Sequence, residues 1–230
     1  MARRPVFVPT SPGDPQLVRV VEVEFEWSPG FSRSQKQKSI ASLHEAAAAA
    51  GIEPVLEVST KSTERLGVRL SAFNLGVELP GGEVVSLEAA FQGSKVFEQG
   101  GPFRDLYTVS PRDAKRDPRL KESGRLVRFE WDGMTWPLEP KTAFYDWLYL
   151  QALRRLDGEA ERLLEYEGFT DIEFNPAKSI NCQARSCALY VSLRRRNTLG
   201  SAMGSPDAFL AELRSPDEGG DEPGVQQSMF

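Results

Sequence analysis

The chain has 230 residues, of which 40% are hydrophobic and 27% are charged, which is ordinary for a globular protein with a sizeable core. Its net charge of -5 provides no overall positive field, so any contact with a nucleic acid must be local and sensitive to salt. Two cysteines and one histidine are too few for a Cys/His zinc site, so we expect no metal and no cofactor.

Several features predict a cytoplasmic protein. The first five residues include two arginines, but prolines at positions 9, 12 and 15 interrupt the apolar run that follows, so we predict no signal peptide. No apolar run approaches about 18 residues, so we predict neither a membrane span nor a membrane partner. Without a secretion signal, Cys182 and Cys187 are expected to be reduced, packed thiols.

The first third of the chain is predicted to be an α/β lead-in. Residues 17–27 alternate apolar and charged side chains, as in a half-buried antiparallel strand. A serine-capped helix is predicted over residues 34–50, with Gly51 ending it, and a strand over residues 54–59. Because these strands need partners, we expect residues 1–55 to pack on the core rather than fold alone.

A hairpin and one helix follow. Strands are predicted over residues 68–70, 76–79 and 83–85, with a turn at residues 80–82. Ser86 is suited to cap a helix of about three turns that extends to Glu98, because apolar residues recur there at threes and fours. Gly93 inside this helix indicates that another backbone or a ligand passes close, since glycine costs about 1 kcal/mol relative to alanine.

The later elements alternate in type. Residues 105–125 are charged and contain two prolines, which by itself indicates a mobile surface loop. The patterns that follow predict a hairpin over 126–136, helices over 140–156, 159–167, 181–193 and 206–213, and a disordered acidic tail. The whole pattern predicts an α+β fold with a mainly helical core, small β-hairpins and an N-terminal strand–helix–strand extension. We divide it into residues 1–55, a core domain of residues 56–200, and residues 201–230.

One predicted helix face carries reactive groups. Glu88 and Lys95 are seven positions apart, which puts them two turns apart on one face, with Gln92 between them. A solvated helix face is the ordinary alternative for such residues. His44 is far in sequence from the other polar clusters, so a hydrolase based on histidine is not expected, and carboxylate and amine would transfer the protons.

Two segments resemble the NADAR family of YbiA-like N-glycosidases. They are residues 70–75 (LSAFNL) and residues 87–97 (LEAAFQGSKVF), which the Gly81-Gly82 turn separates. Residues 110–115 (SPRDAK) and Arg185 match further. Residues 1–200 are more similar still to the NADAR antitoxins paired with DarT-type toxins, which ADP-ribosylate guanine in DNA. The runs that carry this similarity are residues 91–98, 113–120, 136–141 and 179–186.

The resemblance implies a NADAR/YbiA-like α+β fold, with residues 56–200 as the catalytic domain, and an enzyme that removes ADP-ribose from guanine in single-stranded DNA. Glu88 would be the principal acid and base, and Lys95 either an imine-forming nucleophile or an electrostatic clamp. A DarT-type toxin is the implied partner. Two alternatives stay open: an N-glycosidase acting on riboside phosphates of the riboflavin pathway, and a non-catalytic antitoxin that binds ADP-ribose or sequesters the toxin.

The remaining candidates would bind the substrate. We expect Arg185 to hold a pyrophosphate at the start of the last core helix, with Asn181 and Gln183 as amide donors beside it. Trp136 is expected to stack on a purine, because Trp147 faces inward by periodicity. The resemblance also implies that residues 105–125 form a wall over the ligand, with Lys115, Arg116 or Arg125 facing phosphates, and that Asn74 contacts ribose. Ser71 and Gln92 are further predicted substrate-binding residues. Asp171 and Glu173 are weaker candidates for a second acid.

Overall fold

A computed structural model describes residues 1–79, 81–156, 158–177 and 179–214. The strands are β1 (Ala2–Pro9), β2 (Val18–Phe25), β3 (Val55–Glu57), β4 (Gly76–Glu78), β5 (Val84–Ser86), β6 (Lys95–Phe97), β7 (Leu126–Trp131), β8 (Met134–Trp136) and β9 (Gly168–Thr170). The helices are α1 (Arg33–Ala49), α2 (Arg65–Arg69), α3 (Leu87–Gly93), α4 (Pro111–Arg116), α5 (Arg119–Glu122), α6 (Ala143–Arg154), α7 (Gln183–Arg195), α8 (Leu199–Ala202) and α9 (Pro206–Leu213). Two 3-10 helices are Arg104–Thr108 and Ala160–Glu165. The predicted α+β class is confirmed.

The N-terminal sheet has the strand order β2-β1-β9-β3, in which β3 runs parallel to β9 and the other pairs are antiparallel. Alternation along β1 sends Val6 and Val8 into a cluster with α1, whereas Phe7 belongs to the larger core that contains α6 and α7. The sheet therefore lies between α1 and the main core. The predicted domain boundary at residue 55 falls inside this sheet, because β1 and β2 precede the boundary whereas β9 and most of β3 follow it.

Strand β1 was not predicted, since two prolines interrupt it. Strand β9 pairs with β1 only at Phe7 and Phe169. Pro5 therefore has no neighbouring strand on the β9 side of β1 in the part of the chain that the structure describes. A proline is tolerated there because no neighbour needs its missing N–H. The sequence could not show this pairing, which joins residues about 160 positions apart.

The predicted helix over residues 86–98 is wrong in its second half. Helix α3 begins after Ser86, whose hydroxyl accepts a hydrogen bond from the Ala89 N–H, and it ends at Gly93. Residues 95–97 form β6, in which Lys95 pairs with Phe129 of β7. Glu88 and Lys95 are therefore not on one helix face.

Some of the other predicted elements are confirmed and others are wrong. Both hairpins are confirmed, as β4–β5 and β7–β8, and so is α9. The predicted strand over residues 68–70 is wrong, because residues 65–69 are helix α2. The charged stretch after residue 104 is ordered as a 3-10 helix, α4 and α5, so it is not a mobile loop. Cys182 and Cys187 are free and buried, as predicted. The predicted acidic tail after Arg214 lies outside the described residues.

Gly93 is a close-approach site, as predicted, and its replacement should destabilise the fold. A Cβ atom there would lie 2.5 Å from the Tyr107 ring and 2.9 Å from the Phe103 carbonyl oxygen. We expect Gly93→Ala to lower the free energy of unfolding by about 1–3 kcal/mol, because the backbone cannot yield freely. Urea denaturation measures this. The matched control is Gly200→Ala in α8, where a Cβ meets no atom within 4 Å, and equal losses in both variants would contradict the argument.

Candidate functional site

A cavity of about 280 Å³ lies between the segment after α2, α3, the start of α6 and the loop before α7. Its polar lining residues are Ser71, Glu88, Gln92, Lys115, Asp171, Glu173, Asn175, Ser179, Asn181 and Gln183. Its aromatic lining residues are Phe73, Phe91, Tyr145 and Phe174. Eight of the fourteen predicted site residues therefore come together at one cavity: Ser71, Glu88, Gln92, Lys115, Asp171, Glu173, Asn181 and Gln183.

Glu88 is held at the floor of this cavity by two neighbours. Gln92, one turn later on α3, donates from Nε2 to Glu88 Oε1 at 2.9 Å. Helix α4 packs on α3 and brings Lys115 Nζ to 3.7 Å from the same oxygen. Glu88 is only 5% exposed and lies in the first turn of α3, where the helix dipole favours a carboxylate. An oriented carboxylate therefore faces the cavity.

Lys95 lies behind this floor rather than among the lining residues. It is 1% exposed, and its Nζ lies 5.0 Å from the ring centroid of Phe91, which does line the cavity. Burial lowers the Lys95 pKa to about 8, the Glu88 carboxylate opposes this shift, and Lys115 adds to it. Glu88 and Lys95 are thus electrostatically coupled, although β6 and not a shared helix face brings them together.

Three buried polar atoms of lining residues have no hydrogen-bond partner among the residues that the structure describes. They are Ser71 Oγ, Gln92 Oε1 and Asn181 Oδ1. Buried polar atoms are paired in the great majority of cases, so a cluster of unpaired ones in a cavity fits the polar groups of a ligand. Gln183 has a different role, because its side chain accepts from the Ala72 N–H at 2.8 Å and donates to Asp171 at 3.0 Å.

The prediction that Trp136 stacks on a purine is wrong. Trp136 is 0% exposed and packs against Phe144, Trp147 and Phe209 in the core. An exposed aromatic side chain at the cavity mouth is Phe73, which is 40% exposed. The centroid of its ring lies 5.7 Å from Lys115 Nζ. Periodicity did not identify Phe73, although it stands in the predicted segment with Ser71.

Four other predicted ligand contacts do not reach the cavity. Asn74 donates to the Val68 carbonyl oxygen at 2.8 Å. Arg125 is exposed and forms an ion pair with Glu98 at 2.7 Å. Arg185 donates to Asp146 Oδ2 at 2.6 Å and to Thr142 Oγ1 at 3.0 Å, so its guanidinium already has a buried carboxylate partner instead of a pyrophosphate. Arg116 is also absent from the lining.

Two further carboxyl groups, one that lines the cavity and one that is buried, were only partly predicted. Asp171 lines the cavity and accepts hydrogen bonds from the backbone N–H groups of Glu173 and Phe174. Behind it, Glu57 is 1% exposed and accepts from Ser59, Thr170 and Ile172. Burial raises the pKa of each carboxyl, and the negative charge of Asp171 raises that of Glu57 further. Asp171 was a weaker candidate for a second acid in the sequence, but Glu57 was not predicted, because only the pairing of β3 with β9 brings the two positions together.

The segments with the NADAR signature meet at this cavity, so fold and site together define an α+β protein of the NADAR type. More narrowly, the chain belongs to the family of DarT1-associated NADAR antitoxins, because the model of that family matches residues 2–221. The resemblance seen in the sequence is confirmed. No curated protein matches the chain. Within the described residues, no helix has the length and apolarity needed to cross a membrane.

Proposed function

We propose that this antitoxin is an ADP-ribosyl glycohydrolase that removes ADP-ribose from guanine in single-stranded DNA and so reverses the modification made by a DarT-type toxin. The observation that carries the proposal is the coupling of Glu88 with the buried Lys95, whose pKa is lowered to about 8, beside a cavity with unpaired polar atoms. Single-stranded DNA offers the modified base without most of the cost of unstacking.

The chemistry begins at the ribose carbon bonded to the guanine nitrogen. Opening of the ribose ring turns this carbon–nitrogen bond into an imine. The uncharged Lys95 amine adds to the carbon, and guanine leaves as a free amine with a proton from Glu88. Water then hydrolyses the lysine imine, which releases ADP-ribose and restores the amine. If Lys95 acts only as a charge, Glu88 instead protonates the leaving nitrogen while water attacks directly.

Several side chains around Glu88 could bind the polar groups of ADP-ribose. Ser71, Gln92 and Asn181 offer unpaired polar atoms for hydroxyl groups, and Lys115 offers a cation for a phosphate. Phe73 offers an exposed ring at the mouth for a base. We therefore propose Phe73 in the stacking role that the sequence had assigned to Trp136.

A direct assay tests this function. A guanine-containing oligonucleotide, ADP-ribosylated by a DarT-type toxin, is incubated with the purified protein, and released ADP-ribose and restored oligonucleotide are measured by mass spectrometry. We expect catalytic turnover. Hydrolysis of a free riboside phosphate with no action on the oligonucleotide would support the housekeeping N-glycosidase instead. Suppression of the toxin by stoichiometric binding, without release of ADP-ribose, would support sequestration.

A further inference from the structure

The start of α1 is positively charged, and no acidic residue lies near it in the sequence. Residues 29–43 contain Arg33, Lys36 and Lys38 and no acidic residue, in a chain with a net charge of -5. Arg33 and Lys38 are exposed, and Lys36 lies 4.5 Å from the centroid of the Trp27 ring. Phe31, just before the Ser32 cap, is 99% exposed. A fully exposed aromatic ring among cations is not explained by packing in the described residues.

Hydrogen bonds connect this end of α1 to the rim of the cavity. Arg33 Nη2 donates to the Ser62 carbonyl oxygen, and Gln37 Nε2 donates to that of Lys61, each at 3.4 Å. Lys61 Nζ in turn lies 3.9 Å from Glu173 Oε1, and Glu173 lines the cavity. Lys61 therefore offsets the charge of Glu173, and the contacts from α1 lead to the cavity.

We infer that Phe31, Arg33, Lys38 and Lys61 form a binding surface for the single-stranded DNA that flanks the modified base. Exposed cations along a strand neutralise phosphates and release counterions, and an aromatic ring accepts any base by stacking. This combination binds single strands without reading their sequence, which suits a repair activity on guanines in many contexts. The inference rests on the proposed function, because it takes its polynucleotide from the proposed substrate.

Binding of an unmodified oligonucleotide tests the surface without requiring catalysis. Fluorescence anisotropy with a labelled single strand of mixed sequence gives Kd at several salt concentrations. We expect Phe31→Ala to weaken binding about 5- to 100-fold, as loss of a stacking platform does. The double variant Arg33→Ala/Lys38→Ala should weaken it and reduce the slope of log Kd against log salt by about 0.7 for each cation removed.

Two controls match these changes. Arg154→Ala removes an exposed cation at the far end of α6 from Tyr145, and Val84→Ala shortens an apolar side chain that is 52% exposed on β5. Both should bind like the wild type, and circular dichroism should show that all variants are folded. The inference would be overturned if the Phe31 and Arg33/Lys38 variants bound the oligonucleotide as tightly as the wild type does. It would also be overturned if the wild type bound duplex DNA more tightly than single-stranded DNA.

The two proposals can fail separately. If the wild type binds the oligonucleotide through this surface but does not release ADP-ribose, the hydrolase is wrong and the surface stands. If the wild type releases ADP-ribose and the surface variants bind and turn over normally, the surface is wrong and the hydrolase stands. Loss of toxin binding in these variants, with normal oligonucleotide binding, would assign the surface to the toxin and overturn the inference.

Discussion

Replacement of Lys95 by arginine or by methionine is expected to reduce the rate of ADP-ribose release on the order of 10³-fold or more, because both substitutions remove the nucleophilic amine. Arginine keeps the positive charge, whereas methionine keeps only the volume. Similar losses in both variants therefore identify the amine, rather than its charge, as the essential group. Full activity of Lys95→Arg would leave Lys95 as an electrostatic clamp and would contradict the imine.

The pH dependence of the wild type gives a second measurement of the same group. With a pKa of about 8, roughly a tenth of the Lys95 amines are uncharged at pH 7, against well under a thousandth for an ordinary lysine. The uncharged fraction increases as the pH rises, so single-turnover release of ADP-ribose should increase about tenfold per pH unit below 8 and level off above it. A rate that is constant between pH 6 and pH 8 would contradict a rate-limiting attack by this amine.

Trapping distinguishes Lys95 from the other amine near Glu88. Lys115 lines the cavity, whereas Lys95 is buried behind Phe91, so access alone would favour Lys115. The lowered pKa favours Lys95. Reduction with borohydride during turnover should join ADP-ribose to the peptide that contains Lys95, and the adduct should persist in Lys115→Met and be absent from Lys95→Met. An adduct on Lys115 would reassign the nucleophile.

The sequence predicted hairpins reliably where the residues of a tight turn determine how the strands pair. The Asp132-Gly133 turn has positive φ at both residues, as a two-residue hairpin turn requires, and β7 and β8 have their predicted bounds. The end of α3 was not predictable in this way, because the small Ser94 and the apolar Phe97 continue the helical spacing of Ala90 and Phe91. Val96 and Phe97 also suit a strand, and the partner strand β7 begins some 30 residues later.

The site was predicted in its residues better than in its geometry. Glu88 and Gln92 share a helix face, and this part needed only the helical period. The position of Lys95 depends on β6 pairing with β7, and that of Asp171 and Glu57 on β9 pairing with β3. Such pairings depend on the whole fold. Trp136 shows the same limit, since whether an aromatic ring is buried or faces a ligand depends on helices α6 and α9 that pack around it.

Glu88→Gln is expected to reduce the rate of ADP-ribose release about 10²- to 10⁴-fold, because glutamine has the same shape but cannot transfer a proton. The amide still offers an oxygen to Gln92, so the melting temperature should change little. The matched control is Glu173→Gln, which removes another carboxylate from the cavity lining and should retain activity within about tenfold. Activity of Glu88→Gln within threefold of the wild type would exclude Glu88 as the acid.

The same variant also tests the coupling between the two proposed catalytic groups. The Glu88 carboxylate raises the Lys95 pKa against the larger effect of burial, so its removal should lower that pKa below about 8. The rising limb of the pH profile should therefore move to lower pH in Glu88→Gln, while the plateau falls because the proton donor is lost. In Glu173→Gln, the midpoint of the rising limb should stay at the same pH as in the wild type. A lower plateau with an unmoved midpoint would mean that Glu88 supplies the proton without controlling the pKa of the amine, and would contradict the coupling.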